Sequence, residues 1–133
     1  MICFFSLILA ASTLPCQVPC PRVPTSPTPT PLPCPTDKIT FTQDTGCLND
    51  GSVEFCLPAS DSAALSIVQN IAPDVTCMRA GGRARCDTTT EILCLLPTRC
   101  SSYDSALTDS GWQTVCDLAA LPFIRRIVPT WYE

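Results

Sequence analysis

Cys47-Leu-Asn-Asp-Gly-Ser-Val-Glu-Phe-Cys56 and, thirty residues on, Cys77-Met-Arg-Ala-Gly-Gly-Arg-Ala-Arg-Cys86 share one outline. Each has eight residues between its cysteines, Leu or Met after the first, and a glycine four residues after it. A two-residue turn headed by glycine suits a type II′ hairpin bend. With Gly51-Ser52 at one tip Cys47 stands opposite Cys56, and with Gly81-Gly82 at the other Cys77 stands opposite Cys86. Counted out from the tip, both pairs occupy non-hydrogen-bonded positions, where the Cα atoms lie closest and a bridge is most easily spanned. The expectation is two disulfide-stapled hairpins, Cys47–Cys56 and Cys77–Cys86.

Working outward, Lys38-Ile-Thr-Phe-Thr42 alternates apolar and polar residues and reads as a strand with one buried face. Residues 58–72 follow the first hairpin and read as a helix. Ser60 or Asp61 caps it, Ala64, Leu65, Val68 and Ile71 recur at helical spacing, and Pro73 ends it. After the second hairpin, Asp87 or Thr88 caps a short helix through Glu91, Ile92, Leu95 and Leu96, although the threonine run and Ile92 leave a strand open there. Asp109 or Ser110 caps a last helix to Ala120, with Trp112, Val115, Cys116 and Ala119 on one face, and Pro122 begins a further turn. The expected fold is α+β: a small disulfide-rich domain with two stapled hairpins each followed by a helix, plus a C-terminal helix.

Three segments divide the chain. Residues 1–12 resemble a secretory signal peptide, an apolar run too short to span a bilayer followed by small residues. Residues 13–36 carry nine of the fourteen prolines and read as an extended Pro/Thr-rich stalk or linker. Residues 37–133 form the expected globular domain, with no second apolar segment long enough for a membrane helix.

Eleven cysteines in 133 residues mark a disulfide scaffold and an oxidising compartment. No Cys-x-x-Cys and no histidine occur, which argues against a metal site, and no cofactor is expected. Removal of Cys3 with the signal peptide would leave ten cysteines, an even number. Cys34, next to the domain, is placed to tie the stalk to it. The pairing of Cys16, Cys20, Cys34, Cys94, Cys100 and Cys116 is open from sequence alone. The expected location is extracellular, with a lipid anchor on Cys16 as the alternative.

A net charge of −4 argues against a nucleic-acid partner, which needs a basic face to neutralise phosphates. Without histidine there is no Ser–His–Asp or Cys–His catalysis. Asn49-Asp50-Gly51 does not extend to a calcium loop, because Leu57 stands where the bidentate Glu belongs. The candidate binding residues are Arg79, Arg83 and Arg85, which gather three of the eight basic side chains on the second hairpin tip. The functional expectation is a secreted, monomeric, non-enzymatic domain that binds an extracellular protein or surface. Two alternatives accompany it: a serine-protease inhibitor presenting loop 79–85, and a small acid hydrolase using paired carboxylates.

Overall fold

A computed structural model of the chain describes residues 33–48, 51–98, 100–101 and 105–130. The expected signal peptide and most of the Pro-rich stalk lie outside the described residues. The fold is a small α+β domain with a four-stranded antiparallel sheet and two helices. Two 3-10 turns, Thr36–Lys38 and Gln43–Thr45, lead into strand β1, Ser52–Pro58. Helix α1 (Ser62–Ile71), strand β2 (Thr76–Met78) and strand β3 (Glu91–Pro97) follow, then helix α2 (Asp109–Ala119) and strand β4 (Ile127–Pro129). The strand order is β2-β3-β1-β4.

The helices start where capping chemistry allows. Asp61 accepts a hydrogen bond from the Ala64 amide at 2.9 Å, and Thr108 accepts one from the Gly111 amide at 3.1 Å. Each satisfies a first-turn donor that has no partner inside the helix. The cap of α2 is therefore Thr108 and not Asp109 or Ser110.

β1 and β3 form the backbone of the sheet, in full register from Ser52 opposite Pro97 to Pro58 opposite Glu91. Alternation along β1 sends Val53, Phe55 and Leu57 to one face, where all three are fully buried. Opposite them β3 contributes Leu96, Cys94 and Ile92, and β4 adds Ile127 opposite Phe55. Val68 and Ala72 of α1 and Val115, Leu118 and Ala119 of α2 close the same cluster. Both helices therefore pack on this face, and the core lies between the two layers. Phe41 meets Trp112 edge-on with ring centroids 6.2 Å apart, at the rim of the cluster.

Four disulfides hold this arrangement: Cys34–Cys116, Cys47–Cys100, Cys56–Cys86 and Cys77–Cys94. The expected hairpin staples Cys47–Cys56 and Cys77–Cys86 are corrected by these pairings. The physical reason lies in the ladders. β3 offers β1 seven consecutive partners and an apolar face that continues the core. The competing local arm before Gly51 is short and polar, and its Leu48 stays exposed. β2 likewise pairs with β3, which sets Cys77 directly opposite Cys94 with Cα atoms 4.1 Å apart. Residues 87–97 accordingly complete a strand at Glu91–Pro97 where a short helix was the first expectation. The Lys38–Thr42 strand is reduced to a single bridge, Ile39 with Ile127.

Cys34–Cys116 ties the last residues of the stalk segment to α2, as the position of Cys34 leads one to expect. Cys47–Cys100 lies just past the Ser52–Pro97 end of the central ladder and clamps it. Its neighbour Gly51 has φ +75°, and a Cβ there would fall 2.3 Å from the Cys100 sulfur, so only glycine fits beside the bridge.

Candidate functional site

The second face of the sheet is turned away from the helices and carries Glu54, Cys56, Leu93, Leu95 and Val128 by the same alternation. It is covered by the segment between β2 and β3. There Gly81 to Arg85 forms a compact turn, with the Cys86 amide donating to the Gly81 carbonyl at 2.7 Å and the Arg85 amide to the Gly82 carbonyl at 3.3 Å. Two attachments fix the turn to the sheet. One is covalent, Cys56–Cys86, which leaves β1 and ends at the foot of the loop. The other is the Glu54 carboxylate, whose Oε2 accepts the Arg83 amide at 2.6 Å and the Ala84 amide at 3.2 Å.

Glu54 is only 5% exposed, so its charge must be met by donors. Consecutive main-chain amides curled around an anion supply them, the concave arrangement known as a nest. Gly82 makes the close approach feasible, with φ +55° and room where a Cβ would lie 2.5 Å from Glu54 Oε2. Arg85 also takes a left-handed conformation, φ +59°, immediately before the half-cystine Cys86.

Fixing the backbone from beneath leaves the arginine side chains outside. Arg79, Arg83 and Arg85 are all exposed. Arg79 donates to the Thr88 carbonyl at 3.1 Å, across the base of the loop. Arg85 lines an open cleft of about 220 Å³ with Arg125, Arg126, Glu91, Cys56 and Ala84. Arg125 pairs with Glu91, and the other oxygen of Glu91 accepts the Asp87 amide at 2.9 Å. Arg125 and Arg126 sit in the turn before β4, well past the end of α2 at Ala119, so they do not serve as helix-terminal cations.

Beside the cleft, Asp87 organises a turn of three threonines. Its Oδ1 accepts the Thr89 hydroxyl at 2.6 Å and the Thr89 amide at 3.0 Å, and its Oδ2 accepts the Thr90 hydroxyl at 3.1 Å. The Thr89 hydroxyl, then the Thr89 amide and the Thr90 hydroxyl, hold the Asp87 carboxyl below its ordinary value.

Cys56, Cys86 and Glu91 cluster closely enough for an ion, but the two sulfurs are joined to each other and are not thiolates. The cleft holds one carboxylate, Glu91. A second cleft, between α1, the end of β3 and the start of α2, also holds one, Asp74. A third, shallow and apolar along Ile39, Phe41 and Trp112, holds none. Glycoside hydrolysis by paired carboxyls needs two of them facing across one cleft.

The contributions of Glu54 and Glu91 are absent from the sequence reading, and Arg125-Arg126 enter it only as a basic pair near a helix C-terminus. Glu54 occupies the polar register of an alternating strand, which ordinarily faces water, and nothing local announces that a loop covers it. The Arg125-Arg126 pair is visible as charge, but only the β1–β4 ladder carries it next to loop 79–85. No protein-family model, curated protein or solved structure matches the chain. Among the described residues, no helix is long and apolar enough to cross a membrane.

Proposed function

We propose that the chain is a secreted, non-enzymatic binding domain, carried on its Pro-rich stalk, whose contact surface is the arginine loop 79–85. Four disulfides support the extracellular part of this reading, since such bridges persist in oxidising compartments. The observation that carries the binding part is the rigidity of the loop. Its main chain is held by a disulfide and by the Glu54 carboxylate, while Arg79, Arg83 and Arg85 stay exposed. A loop ordered before encounter loses little entropy on association, so its side chains can be spent on a partner.

The same loop does not favour protease inhibition. A protease groove receives an extended segment by strand addition. Here the arginines sit on tight turns with left-handed residues at Gly82 and Arg85. The test is fluorescently labelled, fully oxidised protein added to intact cells and read by flow cytometry. The wild type is expected to bind saturably, and the Arg79→Ala/Arg83→Ala/Arg85→Ala variant to lose at least about tenfold in affinity, given the worth of charge-assisted contacts. Equal binding by both proteins overturns the assignment of the loop. In a parallel assay, trypsin stays uninhibited at micromolar protein.

A further inference from the structure

Five of the eight basic residues of an acidic chain lie in two short stretches, 79–85 and 125–126. The fold brings these stretches together at the cleft beside Cys56–Cys86. Among the described residues, the guanidinium groups of Arg85 and Arg126 have no hydrogen-bond or ion-pair partner, although both line that cleft. Arg125, beside them, is 77% exposed at its side chain even while paired with Glu91. Glu91 in turn is oriented by the Asp87 amide. The cleft thus presents forked, unspent donors on a fixed frame.

We infer that the cleft of Arg85, Arg125 and Arg126 binds sulfate esters, and that its partner is a sulfated extracellular polysaccharide. This deepens the binding-domain reading above and rests on it. Planar guanidinium forks match the oxygen edges of tetrahedral oxyanions, and three arginines line this one cleft. The carboxylates placed against this face leave an excess of positive charge. Five arginines, Arg79, Arg83, Arg85, Arg125 and Arg126, stand here against three carboxylates, Glu54, Asp87 and Glu91, of which Glu91 is paired with Arg125. Arg79 and Arg83, exposed on the adjoining loop, extend the basic surface beyond a single group, which suits a chain carrying repeated sulfates. The disulfide-rich frame suits an extracellular location, where sugar chains bearing sulfate esters are accessible partners.

The test is retention of the full oxidised chain on immobilised heparin at neutral pH with a salt gradient. Matched columns of desulfated heparin, hyaluronan, polyphosphate and poly-glutamate serve as comparisons. The wild type is expected to be held on heparin above physiological salt, to pass through desulfated heparin, hyaluronan and poly-glutamate, and to leave polyphosphate at lower salt than heparin. Arg85→Ala/Arg126→Ala is expected to bind heparin roughly tenfold more weakly or less tightly still. Arg85→Lys/Arg126→Lys, which keeps charge without the fork, should fall between. Ser66→Glu/Gln69→Glu, on the exposed side of α1, lowers net charge by the same amount and should elute with the wild type. A wild type that passes through heparin overturns the inference. So does an alanine pair retained like the wild type, a fall shared by the α1 pair, or equal retention on any comparison column. If heparin retention is absent while cell binding persists, the sulfate assignment falls and the binding domain stands. If both are absent, both fall.

Discussion

Glu54 and Arg83 lie twenty-nine residues apart, yet the Glu54 carboxylate accepts the Arg83 main-chain amide at 2.6 Å on the sheet face opposite the helices. This contact converts an otherwise loose inter-strand segment into a fixed platform. Replacing Glu54 by Ala leaves the Arg83 and Ala84 amides without their acceptor and should cost about 1–3 kcal/mol. Urea unfolding will read the loss. Amide hydrogen exchange should show faster exchange at residues 83 and 84, while the Val53–Leu57 amides remain protected. Glu54→Gln keeps one acceptor oxygen and should cost less.

The paired glycines at the turn are not equivalent. Gly82 has φ +55° and no room for a Cβ, whereas a Cβ on Gly81 would meet only the Cys86 carbonyl at 3.5 Å, an ordinary contact. Gly82→Ala should therefore destabilise by roughly 1–3 kcal/mol, from left-handed strain and displacement of Glu54. Gly81→Ala should be near neutral. Thermal unfolding of the two variants side by side checks the asymmetry.

Asp87 gives the domain a defined pH dependence. Its folded-state pKa is lowered by the Thr89 and Thr90 hydrogen bonds. A lowered carboxyl contributes stability that is present above its unfolded value, 3.8, and is lost as pH falls through the folded value. Wild type and Asp87→Asn should thus differ most at neutral pH and converge as the pH drops below the unfolded value. Stability measured by urea midpoints across acidic pH tests the sign. A gap that widens on acidification contradicts the assignment.

The disulfides differ in the length of chain they close. In the chain-entropy model Cys34–Cys116, at a separation of 82 residues, is worth about 4.5 kcal/mol, against about 3 kcal/mol for Cys77–Cys94 at 17. Cys34→Ser/Cys116→Ser should accordingly lower the denaturation midpoint more than Cys77→Ser/Cys94→Ser. The comparison is sharpened because Cys77 and Cys94 are already neighbours on one ladder, and their strands remain paired when the bridge is removed.

What the sequence makes legible here is local. The Asp61 cap and the Ala64, Val68 spacing announce α1, and the Trp112, Val115, Cys116, Ala119 stripe announces α2. The α+β class and the stapling by disulfides are also readable. Partner choice is not. The equal Cys-to-Cys spacings around Gly51 and Gly82 point to hairpins because turn chemistry is short-range. The winning ladders join residues 33 to 45 positions apart in β1–β3 and 15 to 19 apart in β2–β3, where the reward is a shared apolar face and not a tight turn. The second glycine turn then serves a different purpose, cradling Glu54. At the binding face, exposed arginines are visible as composition, while the meeting of Arg85 with Arg125 and Arg126 is a product of tertiary structure.

The most direct test is peptide mapping of the non-reduced protein after cleavage at basic and acidic residues, with cross-linked fragments identified by mass spectrometry. Glu54, Asp74, Glu91 and Asp109 provide cuts that separate the half-cystines. Among the described residues the account predicts Cys56 joined to Cys86, Cys47 to Cys100, Cys77 to Cys94 and Cys34 to Cys116. Recovery of Cys47 joined to Cys56, or of Cys77 joined to Cys86, would contradict it, because loop 79–85 would then stand free of the sheet that holds it.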